Sequence, residues 1–524
     1  MNLTRALSTV GGLTLVSRIL GLLRDNLFAR FVGAGFASDA FLIAFKLPNM
    51  FRALFAEGAF ASAFIPMFNR KVAEGGDDGL QQGISFAEQA LAVLLPVLLV
   101  MTIILEAGAW YVTLALSGKF NGVSDAQFAF AVELARWTIP YLMLISLVSL
   151  FGGILNSLGK FWVNAAAPIL LNISLISALL LFQGSGPMAT ARYQAIAVSV
   201  AGFLQLLWLA WACKRHGVSL KWRRPRINPD VKKLLALVWP AAAGAGAVQI
   251  NLVVSTALAA SLLPHGAVTY IYMADRLNQL PLGLIGIGLG TVLLPTISRH
   301  LGAGEESQAA NTQNRGMELA LLLTLPATVA LIVCGEPITS ALFGYGRFTA
   351  EDVTATSSAL AAFSIGLPSY ILIKVLTPGY YARHDTKTPV RFAVISMVIN
   401  LALNLAFIPT IGHVGPPLAT AIAATVNVAL LYFTLKKRGH FVADAQLKRR
   451  ALRLSIAALL MGAALWPMMV LFDPYVHGSG WVRGTTMAVL VGTGGLVYAL
   501  ATLLSGAFTL SEIKSQFTRK KKAA

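Results

Sequence analysis

Between Glu88 and Glu106 lies Gln89-Ala90-Leu91-Ala92-Val93-Leu94-Leu95-Pro96-Val97-Leu98-Leu99-Val100-Met101-Thr102-Ile103-Ile104-Leu105, a stretch without a single charge. About 20 apolar residues in a helix cross the hydrocarbon of a bilayer, so this run reads as the centre of a membrane span, 86–116. Runs of the same kind recur outward along the whole chain. They fall at 8–32, 37–68, 128–156, 162–183, 190–212, 234–260, 267–298, 317–343, 354–381, 390–409, 416–435, 451–472 and 482–505, which makes fourteen helices. Their solid Leu- and Ala-rich character excludes a β-barrel, whose segments alternate over about ten residues. The expected fold is an all-α polytopic membrane protein. Arg18, Arg24 and Asp25 interrupt the apolar core that a signal peptide needs, so 8–32 reads as a retained first helix.

Composition agrees. Of 524 residues, 56% are apolar and 12% charged, and the mean hydropathy is +0.71. A soluble domain carries about 25% charged residues, so a soluble enzyme and a disordered chain are both excluded. The two cysteines, Cys213 and Cys334, offer no disulfide framework, zinc site or redox pair. The 41 Lys+Arg against 22 Asp+Glu give a net charge of +19, and its placement matters more than its size. Five basic residues (Arg30, Lys119, Arg192, Arg347, Arg483) fall in loops opposite the termini, seven fall within spans, and the remaining 29 of the 41 lie on the side of the termini. By the positive-inside rule both termini are cytoplasmic. The basic excess is then a topology signal and an attraction for anionic membrane lipids, not a nucleic-acid footprint.

The chain also matches itself. Phe64-Ile65-Pro66-Met67-Phe68-Asn69-Arg70 resembles Leu293-Leu294-Pro295-Thr296-Ile297-Ser298-Arg299, and Pro140, Gly152, Lys160 and Asn172 correspond to Pro368, Gly379, Lys387 and Asn400. Offsets of about 228 residues recur throughout, with six spans in each half. Six is even, so the halves have the same membrane orientation, as in transporters built from parallel repeats. The expected organisation is an N-lobe at 1–215, a basic cytoplasmic linker at 216–233, a C-lobe at 234–438, and two extra helices with a basic tail at 439–524. Paired lobes suggest alternating access.

The seven cations within spans are Arg18, Arg24, Lys46, Arg52, Arg136, Arg276 and Lys374. Each costs roughly 2.5–3.5 kcal/mol at bilayer depth even on the lenient insertion scale, so they must face protein or water. Arg18 and Asp25 are seven apart and share a helix face. Asp39, Lys46 and Glu57 fall within about 20° of one another on an ideal helix, although Pro48 intervenes. Asp275 and Arg276 are adjacent. Arg136 has Glu133 three residues earlier, a candidate structural pair. In the first two helices four cations face three carboxylates, and Arg suits bidentate phosphate recognition. The reading is an anionic, phosphate-bearing substrate bound by Arg18, Arg24, Lys46, Arg52 and Arg276, with Asp25, Asp39, Glu57 and Asp275 as ion-pair or gating partners. Interhelical ion pairing that merely holds the lobes together is the other reading. No phosphate-binding loop, metalloprotease His-Glu pair or nucleophile elbow is present, so the chain reads as a transporter rather than an enzyme.

Specific motifs narrow this further. Ser17-Arg18-Ile19-Leu20-Gly21-Leu22-Leu23-Arg24-Asp25, Asp39-Ala40-Phe41, Lys46-Leu47-Pro48-Asn49, Arg52 and Phe55-Ala56-Glu57-Gly58-Ala59-Phe60 resemble the MurJ (MviN) family of the MOP exporter superfamily. Ala274-Asp275-Arg276-Leu277, Leu289-Gly290-Thr291 and Pro378-Gly379-Tyr380-Tyr381 extend the resemblance over nearly the whole chain. It implies fourteen helices in the bacterial inner membrane and export of lipid II, the undecaprenyl-pyrophosphate-linked disaccharide pentapeptide. The pyrophosphate would meet the Arg set, and the helices at 451–505 would form a groove for the polyprenyl tail. The resemblance implies no organic cofactor, coupling to membrane potential, and cell-wall synthesis machinery as a candidate partner. Some relatives bind sodium among the seventh, eleventh and twelfth helices. Here Asn400, Asn404 and Thr420 offer oxygens, but span 234–260 carries no carboxylate, and ordinary packing is the competing reading. Another MOP-type exporter, of O-antigen-type lipids or of drugs coupled to an ion, is the alternative.

Overall fold

The computed structural model describes residues 3–55, 59–476, 478, 480–509 and 511–512, and every regular element among them is helical. They divide into two compact units, Met1–Thr269 with Gly346–Phe348, and Tyr270–Tyr345 with Thr349–Ala524. This division follows packing, whereas the division of the sequence at 215 and 234 follows its internal repeat.

The first unit holds α1 (Leu3–Val32), α2 (Phe36–Ala44), α3 (Lys46–Phe55), α4 (Ala59–Glu74), α5 (Gly79–Ala107), α6 (Ala109–Ser117), α7 (Asp125–Thr138), α8 (Pro140–Ser157), α9 (Phe161–Leu181), α10 (Pro187–Arg215) and α11 (Pro229–Leu262). Its packing is set by what protrudes from each face. Phe60, Phe64 and Phe68 recur every four residues on α4, one face of a helix. Their rings lie 5.3 and 5.8 Å apart in sequence, with Phe86 of α5 5.5 Å from Phe64. Gly153 of α8 leaves the space, since a Cβ there would sit 3.0 Å from the Phe64 ring. Buried amides tie α10 to its neighbours: Tyr141 donates to Gln205 at 3.2 Å, and Gln205 donates to the Ala167 carbonyl at 2.8 Å. Glu133 takes both Nε and Nη2 of Arg192 at 2.6 and 3.0 Å. The expected Arg136–Glu133 pair is therefore replaced by one to the next helix, and Arg136 is the charged neighbour of Glu106 instead.

The expected second span is not one helix. A break falls at Phe45, between α2 and α3. Pro48 explains the position, because a proline ring collides with the carbonyl four residues earlier, here Ala44, and has no N–H to offer it.

The second unit holds most of α12 (Ala267–Gly302), then α13 (Glu306–Val333), α14 (Gly335–Phe343), α15 (Ala350–Ile365), α16 (Leu367–Tyr381), α17 (Lys387–Ile411), α18 (Gly415–Lys437), α19 (Ala445–Val476) and α20 (Gly480–Leu504). Ile285, Leu289, Leu293 and Ile297 line one face of α12 and pack with Ile371, Val375 and Tyr380 of α16. Leu454, Met461 and Leu465 of α19 meet Leu490 and Tyr498 of α20 in a separate core. Gly462 and Gly494 lie where a Cβ would approach Val329 and Leu465 to 2.8 and 3.1 Å, the small-residue contact typical of helices in lipid.

Ten helical stretches among the described residues are long and apolar enough to cross a membrane. The expected spans 8–32, 37–68 and 234–260 are not among them, although Asn251–Leu262 is a shorter apolar helix, and 390–409 and 416–435 fall within one stretch, Lys387–Lys437. The repeat positions fall at matching places. Pro140 and Pro368 each stand at the start of a helix that follows a break, and Gly152 and Gly379 each abut a side-chain amide, of Asn164 and Gln313.

Candidate functional site

Arg24 lies in the C-terminal third of α1 and is 9% exposed, with Asp25 at 4%. Adjacent helical residues do not ordinarily face each other. Here the long Arg stem turns back so that Nε and Nη2 donate to Asp25 Oδ1 at 3.0 and 2.7 Å. Nη1 donates to Asn172 Oδ1 of α9 at 3.2 Å, and Asn172 Nδ2 in turn donates to the Ser17 carbonyl at 2.9 Å. The buried guanidinium of Arg24 is thus held by the Asp25 carboxylate and the Asn172 amide among its contacts.

Arg18 shares a face with Asp25 as expected, but seven residues are about 10.5 Å along a helix, too far for contact. Arg18 is exposed and makes no hydrogen bond or ion pair among the described residues. Lys46 opens α3 and Arg52 lies in its last turn, both half-buried, with Arg52 in electrostatic range of Tyr141. Because α2 ends before Lys46, Asp39 and Lys46 do not share one continuous helix. Glu57, the third member of that expected face, lies outside the described residues.

Asp39 is fully enclosed. Its Oδ2 accepts from the Gly266 amide at 2.7 Å, and its Oδ1 from the Thr269 amide and hydroxyl at 2.9 and 2.6 Å. Gly266 precedes the first residue of α12 and Thr269 is its third, so Asp39 caps the first turn of that helix from α2. A carboxylate is suited to this, since helix N-terminal amides lack partners and carry partial positive charge.

In the second unit, Arg276 Nε and Nη2 donate to the Tyr272 hydroxyl at 3.0 and 2.9 Å, with the guanidinium 4.9 Å from that ring's centre. The phenol therefore positions the cation through both oxygen and π-face. Asp275 accepts from Gln279 one turn on and lies in electrostatic range of Tyr370. Asn400, Asn404 and Thr420 do come together: Asn400 Nδ2 donates to Thr420 Oγ1 at 3.2 Å, and Asn404 Nδ2 to Asn400 Oδ1 at 3.1 Å. The set is neutral, its amides bond one another, and no group of three or more His, Cys, Asp or Glu side chains that could hold a metal occurs among the described residues. These groups offer no charge to compensate a bound cation.

Sequence reasoning missed three positioning residues: Asn172, Thr269 and Tyr272. Asn172 was visible only as a marker of the repeat, yet a buried amide in an apolar span had to find a partner. Thr269 and Tyr272 carried no such signal.

The described residues are all-helical, with ten stretches long and apolar enough to cross a membrane, and this fold is shared with transporters of the MOP superfamily. A multidrug resistance MATE transporter of that superfamily, in its inward-facing conformation, superposes with a TM-score of 0.64 at 17% identity over 80% of this chain and 94% of its own. The more specific likeness is to a solved lipid II flippase MurJ in an inward closed conformation, with a TM-score of 0.77 at 26% identity over 94% of this chain and 98% of that one. The family model for the lipid II flippase MurJ matches residues 28–485. The probable lipid II flippase MurJ of Rhizobium tropici is 40% identical over 100% of this chain and 98% of its own length, and the lipid II flippase MurJ of Burkholderia cenocepacia is 38% identical over 90% and 91%. The chain belongs to the MurJ lipid II flippase family.

Proposed function

We propose that this protein flips lipid II from the cytoplasmic to the outer leaflet of the inner membrane by alternating access, without catalysing a chemical step. Family membership supplies the substrate, and the fork on Arg24 is the observation that carries the mechanism. A pyrophosphate oxygen offers a guanidinium the same geometry as Asp25 Oδ1. On loading, the diphosphate replaces Asp25 on Arg24 while Asn172 keeps the third N–H in place. On release, Asp25 recaptures the cation. The guanidinium is then compensated in both states, which matters because a bare buried charge is strongly destabilising. Arg18, with its exposed head, makes the first contact. Lys46, Arg52 and Arg276 complete the cationic set, Tyr272 aims Arg276, and Asp39, Glu57 and Asp275 act as gating partners.

Fourteen crossings follow from the apolar runs, and cytoplasmic termini from the distribution of Lys and Arg. The membrane potential, negative inside, then favours outward movement of an anionic head group by about 2.3 kcal/mol per charge per 100 mV. Cell-wall synthesis enzymes are the natural consumers of the exported precursor.

The test is replacement of the flippase in a depleted bacterial host. Arg24→Ala, at normal protein level, is expected to leave lipid II on the inner face and to fail to support growth. Full growth with this variant would overturn the role given to Arg24.

A further inference from the structure

The stretch 214–233, from the end of α10 through the connecting segment into the first turns of α11, carries eight basic residues, Lys214, Arg215, Lys221, Arg223, Arg224, Arg226, Lys232 and Lys233, against one acid, Asp230. It is strapped down rather than loose. Glu88 of α5, itself buried, accepts from the Lys221 amide at 2.9 Å and from Arg223 Nε at 2.6 Å. Asp230 pairs with Lys71 of α4 at 2.8 Å, and Asn228 bonds Gln89. The nearby acids are thereby occupied. Arg223 is drawn onto Glu88, while its neighbours Trp222 and Arg224 stay outward together with Arg226 and Ile227. Trp222 is 59% exposed and Ile227 71%. Lys221, Arg224, Arg226, Lys232 and Lys233 make no ion pair among the described residues.

We infer that this strip docks on anionic phospholipid headgroups, with Arg224 and Arg226 on the phosphates and Trp222 and Ile227 in the interfacial layer. Two observations set its depth. On α10, Trp211 is exposed, and Arg215, the last residue of that helix, stacks over its ring at 5.3 Å. On α11, exposed apolar side chains begin at Leu235, six residues or about 9 Å beyond Pro229. That distance is close to the thickness of one polar headgroup layer, about 5–8 Å. Tryptophan beside arginine at that level is the composition of a membrane interface, and basic side chains there are drawn to an anionic leaflet. The level of the strip, set by Trp211 and Leu235 on the flanking helices, favours a lipid headgroup layer over a nucleic acid or an acidic soluble protein. The inference is independent of the transported substrate.

Cys213 and Cys334 are both buried, so Ile227→Cys supplies a single reactive thiol for a spin label on the full chain. The label is read in nanodiscs of phosphatidylcholine, with or without phosphatidylglycerol, by its accessibility to a water-soluble nickel chelate and to oxygen. Phosphatidylglycerol is expected to lower nickel accessibility severalfold and raise oxygen accessibility, with high salt reversing both. Arg224→Gln with Arg226→Gln is expected to abolish that response while the protein remains monodisperse. Equal accessibility in the two lipids, or an undiminished response in the double variant, would overturn the inference. So would an equal response to soluble polyglutamate in phosphatidylcholine discs, which would mark an acidic protein as the partner.

Discussion

Thr138 of α7 donates its hydroxyl to the carbonyl of Ala44 at 2.8 Å. That carbonyl is the one Pro48 leaves without a helical donor, since residue 48 would otherwise have supplied the N–H. The proline break and the threonine are therefore two halves of one device. It ends α2 at Ala44, starts α3 at Lys46, and places Asp39 and Lys46 on separate helices.

Removing the hydroxyl tests this device. Thr138 is fully buried, and Thr138→Val is expected to cost about 1–3 kcal/mol, the penalty for an orphaned buried acceptor. The thermal midpoint of the purified protein reads the loss. Thr138→Ser should retain most of the stability. In a Pro48→Ala background the restored amide can serve Ala44, so the cost of Thr138→Val should shrink. An equal cost in both backgrounds would separate the two residues.

Asp39 meets donors on both of its oxygens. Asp39→Asn keeps the shape but turns one oxygen into a second donor, which must face either Gly266 or Thr269. The expected result is a loss of about 1–3 kcal/mol from the unmade bond and the repulsion, seen as a lower thermal midpoint. Thr269→Ala, which removes one of three donors, should cost less.

The apolar runs gave away the helices because lipid allows little else, whereas the expected spans 128–156 and 354–381 ran unbroken through Pro140 and Pro368, which stand at the starts of separate helices because a proline cannot continue the ladder behind it. The partners were another matter. A helical wheel ranks neighbours on one helix, so it offers Arg18 to Asp25 and Glu133 to Arg136. In the folded chain Asp25 meets Arg24, and Glu133 meets Arg192, 59 residues away. Packed helices lie 8–10 Å apart, well within reach of an arginine, so side chains on the next helix compete with those on the same one. Asn172, 148 residues from Arg24, is found only once α1 and α9 are packed.

Arg24→Lys separates charge from geometry. Lysine keeps the positive charge but concentrates its donors at one point, so it cannot hold Asp25 and Asn172 as the guanidinium fork does. The variant should reach the membrane at normal levels and transport lipid II about tenfold more slowly, in line with loss of a charge-assisted hydrogen bond. Appearance of lipid II at the outer face is the measurement. A wild-type rate would show that charge alone suffices and that the fork has no role in transport.

The loop between α16 and α17 makes a prediction in pH. Asp385 accepts from the Thr388 amide at 2.9 Å and from Arg438 Nη1 at 2.6 Å. The Thr388 hydrogen bond and then Arg438 hold its carboxyl down from 3.8 to about 2. A carboxylate with a lowered folded-state value stabilises the fold above its unfolded value and loses that contribution as pH falls through the folded one. Its contribution should therefore be constant above about pH 5 and decline between about 4 and 2. Arg438→Gln removes one of the two restraints, so the carboxyl should protonate at a higher pH and contribute less. Relative to the parent, this variant should lose thermal stability at neutral pH, and the difference should vanish toward pH 2, where Asp385 is protonated in both. A difference that stayed constant down to pH 2 would mean that Arg438 acts by packing over the Tyr380 ring, 5.8 Å away, rather than through the Asp385 charge.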